Sequence, residues 1–150
     1  MNHRVDSAKA PPAAIAAEVA AARAEFDKLL KDNKKTSFVD AVMADICGVL
    51  RGKRMPVSEA DKLFQSGMQI PLSIYLMDAK GEMANPFGRG FGDGDPDGTA
   101  WPAPGTATRV WGSEPARAQI FMAFRDSAGG SFAGNQIGRA SCRERVYVLV

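Results

Sequence analysis

Residues 38–56 read Phe-Val-Asp-Ala-Val-Met-Ala-Asp-Ile-Cys-Gly-Val-Leu-Arg-Gly-Lys-Arg-Met-Pro, and the fold turns on how this stretch is read. Phe38, Val39, Ala41, Val42 and Met43 form a strand-like run. Asp45 to Gly48 supplies turn residues, and Val49 and Leu50 resume the apolar pattern before a basic exit through Arg51, Lys53 and Arg54 to Pro56. Two apolar runs separated by a short polar turn predict a β-hairpin.

Upstream the period changes. Ile15, Val19, Ala22, Phe26, Leu29 and Leu30 recur at three- and four-residue spacing, one stripe of an α-helix. Pro11 and Pro12 suit its first turn, Asp27 and Lys31 are spaced to pair at i,i+4, and the basic run ending at Lys35 complements the negative end of the helix dipole. A narrow apolar stripe predicts a helix lying on the surface of its own domain. Residues 1–10 are polar and carry no hydrophobic period, so they read as a mobile terminus.

Downstream, Ser58 precedes Glu59, Ala60, Asp61, Leu63 and Phe64 as the expected N-cap of a short helix that Gly67 ends. A strand is expected over 70–77 and a Gly-, Pro- and Asp-rich loop over 82–98. Residues 99–112 read as extended and proline-broken, with Trp101, Val110 and Trp111 available to the core. The stronger strand is 117–125, where Ile120, Met122 and Phe124 alternate with Gln119, Phe121 and Ala123. A turn at 126–130 and a short return at 131–133 follow. The expected architecture is α+β: a small mixed sheet with a helix across it.

Composition excludes several functions. The 150 residues include 19 Lys+Arg, 17 Asp+Glu, 1 His and 2 Cys, with formal charge +2. So small a charge sets up no long-range field towards nucleic acid or anionic lipid. The longest apolar stretch, 11–22, is mostly alanine, is broken by Glu18 and falls short of the roughly 20 residues a membrane span needs. Cys47 and Cys142 lack CxxC spacing and cannot build a four-ligand zinc site with one His. The absence of a disulfide framework favours a reducing compartment, the cytoplasm.

The chemical motifs are incomplete. Asp93, Asp95, Asp97 and Gly98 reproduce the opening of a calcium loop, but Pro104 stands where the bidentate Glu should be, which leaves a solvated acidic turn. Gly88-Arg89-Gly90-Phe91-Gly92 neither follows a strand directly nor opens a helix, so no helix N-terminus is there to hold a phosphate. Arg51, Lys53 and Arg54 are expected to face solvent or pair with nearby acids. Cys47 in a turn and His3 in the terminus make no nucleophile pair. No catalytic, cofactor-binding or metal-binding residue is assigned.

The stretch 38–56 resembles the first hairpin of the glutamine synthetase family, whose N-terminal β-grasp domain carries D-x-x-G-x-x-R-G-K-x-x-P. Here Asp45, Gly48, Arg51, Gly52, Lys53 and Pro56 occupy those positions. The short helix ending at Gly67, the run Ile70-Pro71-Leu72-Ser73-Ile74-Tyr75, Asp95, Pro102, Gly105-Thr106 and 116–124 keep the family's order. Glutamine synthetases proper place an Asp followed by Gly-Ser-Ser after the short helix, at a neighbouring subunit's ammonium site. This chain has Ile70-Pro71-Leu72-Ser73 there, and proline offers no side-chain acceptor. The resemblance is therefore strongest to γ-glutamyl-amine ligases of the γ-glutamylputrescine synthetase type.

That resemblance implies a parent enzyme using ATP and Mg2+ or Mn2+ to join glutamate to an amine, putrescine or ammonia, within a homo-oligomeric ring. The family's metal ligands and Arg clamps lie in a larger C-terminal domain, so this part alone is expected to be inactive, truncated and without a bound cofactor. The expected division is a mobile terminus and helix over 1–35, a β-grasp domain over 36–135 and an artefactual tail over 136–150. Residues 137–146, Ile-Gly-Arg-Ala-Ser-Cys-Arg-Glu-Arg-Val, resemble a translated sequencing adapter. Removing 137–150 deletes Arg139, Arg143, Arg145 and Glu144 and turns the formal +2 into 0. Two alternatives are glutamine synthetase itself and a freestanding β-grasp module that binds a partner protein through a sheet edge.

Overall fold

A computed structural model of the chain describes residues 10–83 and 94–125. The expected mobile terminus, most of the acidic loop including Asp93, the Gly88–Gly92 run, the turn and return at 126–133 and the adapter-like tail lie outside the described residues.

After a 3-10 turn, Ala13–Ile15, the first helix α1 spans Ala16–Asp32. Its stripe is buried as the spacing requires: Ile15, Val19, Ala22 and Phe26 are each at most 3% exposed. Phe26 meets Phe64 at 5.6 Å between ring centroids, and burying one such aromatic contributes about 1.5–3 kcal/mol. Asp27 pairs with Arg23 at 3.0 Å rather than with Lys31, because Arg23 also reaches Asp61 at 2.9 Å and so stands between α1 and the next helix.

The hairpin is formed by β1, Phe38–Ala44, and β2, Leu50–Pro56, antiparallel with Val42 opposite Gly52. Beyond Pro56 comes a 3-10 turn, Val57–Glu59, then α2, Asp61–Gln65. Ser58 caps neither: Ala60 is already helical at φ −59, ψ −25, so the turn runs directly into the helix and leaves no extended residue to act as cap. Gly67 follows at φ +69, the left-handed conformation that ends a helix cheaply only with glycine.

The expected strand over 70–77 is shorter and earlier. β3 is Met68–Pro71, and Leu72–Leu76 forms a 3-10 helix. Leu72 N–H bonds Pro96 O at 3.1 Å, and Asp95 accepts from Ser73 N–H and Oγ–H at 3.2 and 2.7 Å. These bonds turn the chain out of the ladder after Pro71, whose nitrogen has no hydrogen to donate.

Strands β4, Asp97–Pro102, and β5, Thr108–Val110, are separated around Pro104 as the sequence suggests, and β6 is Arg117–Phe124. The six strands run β2-β1-β6-β4-β3, with β5 beside the start of β6 and β4 beside its end. β1 and β6 are parallel, Phe38 opposite Arg117, and the other pairs are antiparallel, so the sheet is mixed. Ala118, Ile120, Met122 and Phe124 face the helices, whereas Phe121 joins Ala44 in a small cluster on the other side. Lys53 on edge strand β2 donates to Gln69 O on edge strand β3 at 2.8 Å, so the sheet curls until its two edges meet.

Trp101 is buried in this core, but Trp111 is 75% exposed and Val110 only partly buried. The expectation that all three serve the core fails because β5 pairing stops at Val110, and Trp111 falls in the turn beyond it. No helix among the described residues is long and apolar enough to cross a membrane.

Tyr75 packs edge-on to Phe124 at 5.1 Å and is 4% exposed. Burial pushes its phenol pKa up, against the smaller lowering effect of a hydrogen bond with the Phe124 backbone. The folded state thus holds the phenol proton after the unfolded chain has released it. Stability is full below the unfolded value of about 10 and is lost as pH rises above it. Melting temperatures from pH 8 to 11 should fall more steeply for the natural chain than for Tyr75→Phe. Parallel curves would remove Tyr75 as the cause.

Candidate functional site

The curl brings three segments together at the turn end of the hairpin: residues 45–51, the 3-10 helix after β3 and the turn at 78–82. Asp45 organises the first. Its side chain is fully buried, with Oδ1 accepting from the Cys47 and Val49 amides at 2.9 Å each and Oδ2 from Arg51 Nε at 3.0 Å. Arg51 Nη2 donates in turn to Asp78 O at 2.8 Å. The Asp78 carboxylate accepts from the Lys80 and Glu82 amides at 2.8 and 2.9 Å, so Arg51 ties together two turns that are each closed by an aspartate. Ile46 N–H completes the junction on Tyr75 O at 3.0 Å.

The basic triplet pairs locally. Arg51 belongs to Asp45, Lys53 to the Gln69 carbonyl, and Arg54 to Asp40 through Nε at 2.6 Å and Nη2 at 3.1 Å. Asp40 also accepts from Arg117 Nη1 at 2.9 Å, joining three strands across one face. The Asp40 hydrogen bond raises the Arg54 pKa above its ordinary value.

The calcium-loop residues are not brought together. Asp95 is committed to Ser73, Asp97 opens β4 opposite Pro71, and Asp93 lies outside the described residues. Among the described residues no group of three or more His, Cys, Asp or Glu side chains could hold a metal ion. Cys47 is exposed at the hairpin turn, and His3 lies outside the described residues. The junction therefore builds a rigid corner whose carboxylates are spent on amides and guanidinium groups.

Sequence reasoning expected Arg51 to face solvent or pair with a nearby acid but did not name Asp45 as that acid. The hairpin register sets Arg51 opposite Met43, two residues before Asp45, and its side chain reaches from there to the buried carboxylate.

No family model matches the chain. Over 108 residues, 72% of the chain, it is 32% identical to "Gamma-glutamylputrescine synthetase PuuA" of Escherichia coli (strain K12), and the match spans 23% of that protein. The chain thus corresponds to about a quarter of the curated relative it matches. Its fold is similar to that in the crystal structure of a novel glutamine synthase homolog, with TM-score 0.54 and 17% identity over 75% of this chain and 26% of that one. The cryo-EM structure of Plasmodium falciparum glutamine synthetase gives TM-score 0.48 and 14% identity over 74% of this chain and 19% of that one.

Proposed function

We infer that this chain belongs to the glutamine synthetase family and supplies the N-terminal β-grasp part of an ATP-dependent glutamate–amine ligase of the γ-glutamylputrescine synthetase type. The observation that carries this reading is the 32% identity over 108 residues to a protein of that name. Two features of the chain support it. By the resemblance, Ile70-Pro71-Leu72-Ser73 stands where an ammonia-using enzyme carries an aspartate followed by Gly-Ser-Ser, and the D-x-x-G-x-x-R-G-K run forms the corner around Asp45 and Arg51.

In the parent, the overall reaction converts glutamate, an amine and ATP to a γ-glutamyl amide, ADP and phosphate, with divalent metal neutralising the phosphates. Among the described residues no group of three His, Cys, Asp or Glu side chains could hold the metal, and this reading assigns the metal chemistry to the catalytic domain. The part of the described residues is to form a rigid wall beside an active site completed by that domain, in a homo-oligomeric ring in the cytoplasm. Putrescine is the preferred amine in this reading.

The test has two arms. The 150-residue chain, given ATP, Mg2+, glutamate and putrescine, should form no ADP above a blank. The open reading frame followed past Asn135 should encode a catalytic domain, and the whole product should form γ-glutamylputrescine faster than glutamine. ADP formation by the chain alone overturns its inertness. A preference for ammonia makes the parent a glutamine synthetase, and a reading frame that ends near Val150 supports a freestanding interaction module.

A further inference from the structure

Most described arginines are paired: Arg23, Arg51, Arg54, Arg117 and Arg125 each meet a carboxylate. Of the other described cations that make no ion pair, three gather at one place. Lys34, Lys35 and Arg109 line one surface recess with Thr36 and Asp32, between the end of α1 and β5, and none makes an ion pair among the described residues. Arg109 is held in place by stacking, its guanidinium carbon 4.8 Å from the Trp111 ring centre. Trp111 is 75% exposed, far more than an indole serving only its own fold.

We propose that this recess binds a phosphoryl dianion. The three cations and the one carboxylate of Asp32 leave a charge of +2 at the recess, which matches a phosphate dianion better than a single carboxylate. Arg109 offers the forked donors that suit a tetrahedral oxyanion, and the lysines add point charges that can follow it. Stacking on Trp111 orients the guanidinium before the ligand arrives, which lowers the ordering cost. The ligand is either free phosphate or a phosphate ester. In the ester, an aromatic group would lie against the exposed part of Trp111. The recess shares no residue with the Asp45–Arg51 corner, so this assignment is independent of the ligase reading.

The experiment titrates the 150-residue chain at pH 8, where phosphate esters, with a second pKa of about 6, are dianions and inorganic phosphate is mostly so. Inorganic phosphate and phenyl phosphate are the probes, chloride at matched ionic strength is the control, and both Trp fluorescence and 31P line width are followed. Saturable binding is expected with both phosphates. It should weaken about threefold for each cation removed in Lys34→Ala, Lys35→Ala and Arg109→Ala. These side chains are exposed, and circular dichroism confirms that each variant is folded. Tighter binding of phenyl phosphate identifies an aryl ester as the ligand, and equal binding identifies free phosphate. A chloride response equal to the phosphate response, or unchanged 31P titrations in all three variants, overturns the proposal.

Discussion

Asp45→Ala should cost the fold about 3–5 kcal/mol, because it removes one member of a buried ion pair and leaves the other uncompensated. Asp45 is fully buried and Arg51 only 24% exposed, so water cannot fully replace the lost carboxylate. The Cys47 and Val49 amides lose their acceptor in the same step. Asp45→Asn keeps an oxygen for those amides but loses the charge facing Arg51, and should cost less, about 1–3 kcal/mol. Urea unfolding followed by the emission of buried Trp101 gives both values. The pair's own contribution comes from a double-mutant cycle with Arg51→Ala. If the double variant is no more stable than the sum of the two singles predicts, Arg51 and Asp45 are not coupled and the account of the corner fails.

Gly52→Ala should be comparably damaging, by more than about 3 kcal/mol, for a steric reason. A methyl group at Gly52 would lie 2.0 Å from Ala41 O and 2.9 Å from Val42 Cα, both backbone atoms of the paired strand β1. A side chain could rotate away from such a contact. Backbone paired in the β1–β2 ladder cannot, so β1 and β2 would have to separate. Next to it, Lys53→Ala removes only an exposed bond to Gln69 O and should cost under about 1 kcal/mol. Amide exchange should show the β1–β2 bonds opening in Gly52→Ala while the β3–β4 ladder stays protected. Natural protection of β1 in that variant would mean that the close approach is absent in solution.

Much of this fold was legible in the chain. The stripe from Ile15 to Phe26 is a local period, and a helix is the only regular structure that puts those side chains on one face. The hairpin was equally plain, since Asp45 to Gly48 interrupts two apolar runs. Alternation from Ala118 to Phe124 identified β6 for the same reason. The corner was half legible: its residues were recognised as a pattern, but the order of the letters does not show that Asp45 is buried or that Arg51 spans to Asp78.

The misreadings share a cause. Ile70 to Met77 has the composition of a strand, yet Asp95, 22 residues away, holds Ser73 and turns the chain into a 3-10 helix. Trp111 looks like a core residue by type, but the strand that would carry it inward ends one residue earlier, where β6 has no further partner for it. Ser58 has a capping residue's chemistry, but the preceding turn already places Ala60 in helical geometry.

Acting alone, the sequence determined the elements whose geometry repeats within a few residues: α1, the β1–β2 hairpin, β6 and the left-handed glycine after α2. Periodicity and turn chemistry act over that range, and the backbone answers to them directly. Tertiary structure decided the parallel pairing of β1 with β6, the curl that brings Lys53 to Gln69, the burial of Asp45 and the exposure of Trp111. Each of these depends on contacts between residues far apart in the chain, formed only when the whole sheet closes over one core, and no local period encodes them.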